Sequence, residues 1–514
     1  MAAGSIFYMG RTRTSYSGIH PKWNDDMNMK NKQRPNILLI SIDSLRADHL
    51  SLYGYEKETS PHLTDLSFDG VVFENAFAAA NWTGASLSSI LTGLYPTVHG
   101  YTNQHYYLDK GQDSIAAILK NHGYSTICFS NNMYLSDKTG LHVGFDDFLY
   151  RGVSIGQAEN SVKTKNPILR RLKDIPSQRT KTLWKNVADA FDPAKALTRD
   201  KGAYDTERAF QQWLGGHDRQ KPFFAYIHYQ EPHSIYFPPY AYRRRFFSGS
   251  WLDESAYLTF DHMRYFAGKA HFTETQVRHY LELYDGEITY TDWRLGRLTQ
   301  ILKNQRLFDN TVLIVTADHG EMFGEHGFFW HAFCLYEPLI RVPLLLRYPP
   351  WFERDTRSLD IVQTTDIVPT LLHGLEIEWD YSRDGQGQSF LHGSQRQAAL
   401  IETLNPEPMI DRWLQRHDDI RKQDFAHYLR DMRSFRTANG KLISASDGVH
   451  EFYDMKNDPA ESCTLYGSGD RRVDEYGHEL KKWLDSFAPH IRSHTTQPGF
   501  DKATWEKMKA LGYA

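Results

Sequence analysis

Four side chains in this sequence could together perform ester chemistry: Asp43, Thr83, Asp318 and His319. Two carboxylates and one imidazole make an oxygen-rich donor set with a single nitrogen. That set suits a divalent Mn, Mg, Ca or Zn ion and does not suit copper or iron–sulfur chemistry. Thr83 opens the stretch WTGASLSSILTGLYP, in which Leu87, Ile90, Leu91 and Leu94 share a helical face and Gly93 and Pro96 stop the helix. A Thr there has two readings. It can cap the helix by accepting a backbone N–H, or it can be a nucleophile, its alkoxide and an attacked anionic ester both stabilised by the free N–H groups of the first turn. An unaided Thr hydroxyl attacks poorly, but a bound cation lowers its pKa and polarises the ester oxygen.

These residues need elements that bring them together. NILLISI (36–42), PFFAYIHY (222–229) and TVLIVTA (311–317) are apolar, β-branched runs of strand length, each ending in polar residues: Asp43-Ser44, Gln230-Glu231-Pro232-His233 and Asp318-His319-Gly320. Helices are predicted between them, at 114–123 and over the amphipathic stretch from Gln276 to about Lys303. Alternating strands and helices predict a large doubly wound α/β sheet, in which ligands gather beyond the carboxyl ends of the strands. Asp43, His228 and Asp318 all stand there. After about residue 375 the texture changes to a glycine-punctuated loop, a charged helical region (408–432), a hairpin from MRSFRTANGKLIS and HEFYDMKND, and a helix near 474–487. We expect a flexible leader over 1–33, a catalytic α/β domain over 34–375 with a basic insertion at about 150–205, and a smaller C-terminal α+β subdomain over 376–514.

Composition narrows the class. Lys and Arg number 59 against 63 Asp and Glu, a formal charge of −4, which is no nucleic-acid coat or acidic tail. Three scattered cysteines exclude a disulfide framework and a zinc finger. No apolar run reaches membrane length and no secretion signal is visible at the start, so a cytoplasmic location is expected. Segment 162–185 carries eight Lys or Arg against Asp174 alone, with Ile168, Leu169, Leu172 and Ile175 at helical spacing. It reads as a solvated insertion, as a lid attracting anionic substrate, or as a membrane or nucleic-acid contact.

In order, NILLISIDSLRADHLSLYGY, TSPHLTDLSFDGVVFENAF, WTGASLSSILTGLYPTVHG, HYQEPH, TADHGEMFGEHGFFWH and YEPLIRVPLLLR resemble the sulfatase family of the alkaline phosphatase superfamily, as do EFYDMKNDPAES and the terminal MKALGYA. The resemblance implies a hydrolase with a hydroxyl nucleophile on a divalent metal ion and a small C-terminal subdomain. Three departures stand out. The Cys-x-Pro-x-Arg frame, whose Cys becomes formylglycine in sulfatases, reads Thr83-Gly84-Ala85-Ser86-Leu87. The paired aspartates after the first strand read Asp43-Ser44, and the lysine after Asp-His-Gly is His331.

A sulfated Thr lacks the formylglycine route for releasing sulfate, whereas a phosphorylated Thr needs only water. The favoured expectation is therefore a hydrolase of phosphodiesters or phosphonate monoesters, similar to phosphonate monoester hydrolases and phosphodiesterases. Sulfate-ester hydrolysis and a catalytically silent anion-binding protein are the alternatives. The resemblance places the metal on Asp43, Thr83, Asp318 and His319. His228, His233 and His331 are candidates for binding the ester, protonating the leaving oxygen or holding a second metal, with Asn103, His105 and His326 as further substrate-binding candidates. Each of these histidines has a plain structural reading as well. The expected partner is a small anionic ester, and homo-oligomer formation stays open.

Overall fold

The computed structural model describes residues 34–108, 113–150, 153–154, 200–250, 261–379, 386–415 and 418–487. The leader 1–33, the basic segment 162–185 and the terminal MKALGYA lie outside the described residues. Nine strands make the large sheet: β1 (Asn36–Ile42), β2 (Val71–Phe77), β3 (Ser125–Ser130), β4 (Asp147–Tyr150), β5 (Val153–Ser154), β6 (Phe223–Tyr229), β7 (Thr311–Ala317) and, beyond a small hairpin of β8 (Met322–Phe323) and β9 (Phe329–Trp330), β10 (Leu344–Arg347) and β11 (Thr356–Gln363). Their order is β11-β2-β10-β7-β1-β6-β3-β4-β5.

β1, β6 and β7 are buried at every position, as continuous Val/Ile/Leu-rich runs require when helices cover both faces. β1 pairs in parallel with both of its neighbours. Ile42 lies beside Tyr229 on one side and Ala317 on the other, so Asp43 and Asp318 emerge side by side at the carboxyl edge. The sheet is mixed, because β10 runs antiparallel to β2 and β7.

The predicted helices appear at α1 (Thr83–Thr92), α2 (Ile115–Asn121) and α3 (Glu274–Asn304). Ser114 caps α2 through the N–H of Ala117, and Thr273 and Gln276 form a capping box at the start of α3. The charged region 408–432 is not one helix. It holds α4 (Glu407–Leu414) and a separate 3-10 turn over Lys422–Tyr428. A second sheet of β12 (Ala398–Thr403), β13 (Met432–Thr437), β14 (Lys441–Ala445) and β15 (Glu451–Tyr453) is antiparallel, and α5 (Arg471–Asp485) packs on it.

This small sheet docks beside the segment leading into α1. The Glu402 N–H donates to the Ala79 carbonyl (3.0 Å), and the Glu402 carboxylate accepts from the Thr97 N–H (2.8 Å) and hydroxyl (2.5 Å). Ala79 and Tyr95 share an apolar cluster with Leu400, Phe435 and Phe452. Among the described residues no helix is long and apolar enough to cross a membrane.

Candidate functional site

The site forms where β1 and β7 end. Asp43, Ser44, Asp318 and His319 are fully buried there. Ser44 turns the chain with φ at 61°, a left-handed conformation uncommon for a residue with a side chain. In that conformation its N–H donates to Asp318 Oδ1 (3.1 Å) and its hydroxyl to Asp43 Oδ1 (3.1 Å). α3 holds the turn from behind: Tyr284 OH donates to the Ser44 carbonyl (2.6 Å) and accepts from the Arg46 N–H (2.9 Å). Gly320 is needed because a Cβ there would lie 2.0 Å from the Pro338 carbonyl oxygen.

Thr83 is the first residue of α1, and its side chain does not cap the helix, which overturns the capping reading. Its Oγ1 instead lies 3.2 Å from His319 Nε2. Gly84 lets α1 begin this close to its surroundings, since a Cβ would meet the rings of Trp82 and Tyr101 at 2.5 Å. The His319 Nδ1 donates to the Gly320 carbonyl (2.8 Å), and Nε2 faces Thr83, Asp318 Oδ2 (3.5 Å) and Asp43 Oδ1 (3.8 Å).

Asp43, His228 and Asp318 each offer one donor atom within 4.8 Å of the other two. His228, read from the sequence as a catalytic candidate, is thus brought into the carboxylate cluster itself. Ser41 Oγ sits 2.7 Å from His228 Nδ1 and 2.7 Å from Tyr226 OH, so the imidazole is fixed from within the sheet. Its Nε2 has no hydrogen-bond partner and faces Asp43 Oδ2 at 3.5 Å, and Asp318 Oδ2 is likewise buried without a partner. Buried polar atoms are rarely left so. A divalent cation fits this set, which offers carboxylate oxygens and imidazole nitrogens in one buried cluster.

The electrostatics agree. Burial alone would raise Asp43, yet the imidazoles of His233, His228 and His319 hold it well below the usual carboxylate range. Burial and the charge of Asp43 push Asp318 well above that range. Two buried carboxylates this close cannot both carry full charge without a cation.

A further row of groups lies behind His319. The His331 ring is 4.6 Å from that of His319 and 4.9 Å from that of His233. His331 Nδ1 lies 3.1 Å from Glu321 Oε1, and Glu321 Oε2 accepts from Tyr236 OH (2.9 Å). Burial raises Glu321 to about 7 and lowers His233 to about 4. His331 is held well below its ordinary value by burial and by His319.

Thr83 and His331 open into a cavity that Asn103 also lines, with Trp82, Tyr134, Trp330, Phe333 and Met409 among its walls. Asn103 spends its amide on the Leu404 carbonyl (3.1 Å). His105 is not among the residues lining that cavity; its backbone pairs with Thr102. His326 lies elsewhere. It stacks on Tyr336, with ring centroids 3.8 Å apart, and lines a separate cavity with Glu325, Arg341 and Arg436. Its backbone is left-handed, with φ at 53°.

Sequence reasoning passed over Asn132, whose Nδ2 donates to Asp43 Oδ2 (2.7 Å). It stands two residues past STICFS, the run that becomes β3, close to the strand end where the rule that singled out Asp43 looks. Glu321 was also passed over, although it stands two residues after His319.

The sulfatase family model matches residues 35–377, and the model of the N-sulphoglucosamine sulphohydrolase C-terminal region matches 324–489. The chain is similar to an N-acetylglucosamine-6-O-sulfatase of Bacteroides thetaiotaomicron, at 22% identity over 88% of this chain and 85% of the relative. It is similar to an arylsulfatase of Clostridium perfringens at 24% identity over 88% and 95%. A solved phosphonate monoester hydrolase of Agrobacterium radiobacter shares the fold, with a TM-score of 0.63 and 22% identity over 89% of this chain and 96% of that one.

Proposed function

Since the chain belongs to the sulfatase family of hydrolases, we propose that it cleaves an anionic ester with Thr83 as nucleophile. The observation that carries this is the convergence of the uncapped Thr83 hydroxyl on the buried cluster of Asp43, His228, Asp318 and His319. A divalent cation held by those four residues would supply positive charge that lowers the hydroxyl pKa and offsets the charge growing on the ester oxygens. The donor types accept Mn, Mg, Ca or Zn.

In the proposed reaction a bond forms from Thr83 Oγ1 to the central atom of the ester while the bond to the alcohol oxygen breaks. Neutral His331, which lines the cavity with Thr83, is placed to take the Thr83 hydroxyl proton and pass it to the departing alcohol oxygen, then to take a proton from the water that displaces Oγ1 from the central atom and return it to Oγ1. The net change is ester plus water to alcohol plus acid anion.

Sulfate esters are the class that the relatives' names support, since both curated relatives are sulfatases. A second reading, phosphonate monoesters or phosphodiesters, is favoured by Thr83 itself, because a phosphorylated threonine is opened by water more readily than a sulfated one. Kinetics on matched aryl sulfate, phosphonate and phosphodiester with the metal-loaded protein separate the two. Turnover of at least one class is expected, with Thr83→Ala losing it by orders of magnitude and Thr83→Ser keeping part. A Thr83→Ala protein with near wild-type turnover would sink both readings.

A further inference from the structure

Away from Thr83, the cavity that His326 lines encloses about 480 Å³, within the roughly 300–1,000 Å³ usual for small-molecule sites. It lies in the joint between the two sheets. Asp48, Glu325 and Arg341 reach it from the side of the large sheet, and Arg436 on β13 and Glu461 after β15 from the side of the small one. Four lining carboxylates, Asp48, Glu325, Glu337 and Glu461, are matched in number by Arg341 and Arg436 on the walls and by Arg46 and Lys441 behind them. An occupant that keeps this balance carries no net charge.

The walls nevertheless hold charge that is only partly used. Arg341 donates from Nε to the Glu74 carbonyl (3.0 Å) and keeps Nη2 3.8 Å from Glu74 Oε2, while Glu74 is also held by Arg357. Its Nη1 has no partner among the described residues. Across from it, the side chains of Asp48 and Glu325 are 48% and 34% exposed. Each Asp48 oxygen accepts one bond from Arg46 (2.9 and 2.7 Å), so each retains a lone pair. Burial would raise Asp48, yet Arg46 holds it well below the usual carboxylate range and Arg341 adds to that, so the two opposed charges lie close enough to feel each other.

We propose that this cavity is a second ligand site, for a small zwitterion of the α-amino acid type, with its carboxylate on Arg341 and its ammonium on Asp48 and Glu325. Guanidinium meets carboxylate through paired hydrogen bonds, and charge-assisted bonds are about twice as strong as those a neutral polyol would make to the same walls. A lone anion or a lone cation would satisfy one wall and leave the other to lose water without a partner. The closeness of Arg341 and Asp48 favours a ligand whose two charges sit on neighbouring atoms.

The test is calorimetric titration of the full chain with L-glutamine, with glutaramate, which lacks the ammonium, with 4-aminobutanamide, which lacks the carboxylate, and with glucose. Glutamine should bind once per chain and at least about tenfold tighter than each of the others. Arg341→Gln should weaken glutamine by at least about tenfold and bring it level with 4-aminobutanamide, and Asp48→Asn should bring it level with glutaramate. Melting temperatures report whether each variant is folded, and Arg341→Lys, which keeps the charge without the fork, should retain part of the affinity. Absence of glutamine binding up to about 10 mM overturns the inference. So does glucose or a singly charged relative bound as tightly as glutamine, or glutamine binding unmoved in a folded Arg341→Gln protein.

Discussion

Asn132 shows how a residue without chemistry of its own can control the site. Its amide donates to Asp43 Oδ2 and aligns the carboxylate. Groups that orient a metal ligand typically change affinity or activity by about 10–100-fold when removed. Asn132→Ala should therefore weaken divalent-metal binding by roughly that factor, read by metal titration, whereas Asn132→Asp should weaken it through a displaced Asp43. Unchanged affinity in Asn132→Ala would show that Asp43 keeps its place without the Asn132 amide. Glu321 holds His331 in the same sense. Glu321→Ala should cost on the order of 10–100-fold in kcat, most with poor leaving groups that need a proton, and Glu321→Gln, still an acceptor, should recover much of it. Equal loss with good and poor leaving groups would remove His331 from the proton-giving role.

At the scale of elements, the parts legible in the sequence were those whose burial leaves one interpretation. β1, β6 and β7 are sealed on both faces, so their apolar runs end where the strands end, and the polar residues that follow fall at the site. Region 408–432 was misread for a tertiary reason. Trp413, Ile420 and Phe425 enter one aromatic cluster, yet on a continuous helix Phe425 would stand about a third of a turn away from the Trp413 face. Burial of that ring outweighs the helix propensity of the surrounding charges. β12 was not foreseen because AALIET is short and carries next to its end a Glu, Glu402, whose partners, Thr97 and Arg433, are far from it in sequence.

The His228 contribution to the carboxylate cluster depends on strand register, which no spacing within one segment reveals. The turn at Ser44 depends likewise on α3. Tyr284→Phe would strip the buried Ser44 carbonyl and Arg46 N–H of their partner, and should cost about 1–3 kcal/mol in stability together with a loss of metal affinity. A drop in stability alone would mean the Ser44 turn holds its shape without α3.

For the whole molecule, the two sheets act as one body through buried polar links as well as apolar contact. Arg396, fully buried, pairs with Asp366 and donates to Tyr95 OH (2.9 Å) and Gln363 Oε1 (3.0 Å), tying the approach to β12 to the end of β11 and the segment after α1. Arg396→Met would leave Asp366 charged and buried without its cation, a change that should cost about 3–5 kcal/mol. Denaturant unfolding followed by tryptophan fluorescence should show one transition shifted to a lower midpoint. Two separated transitions in the wild type would mean that the sheets unfold independently.

The cavity is lined by Thr83 at the head of α1 and, on the other side of the chain, by Thr403, the last residue of β12 in the other sheet, with Pro406 and Met409 just after it. More than three hundred positions of sequence separate the two contributions. Descendants of this chain can accordingly acquire new preferences by drift in the short stretch 403–409 while the inherited reaction stays intact, and a library confined to that stretch is the economical place to begin directed evolution of the enzyme.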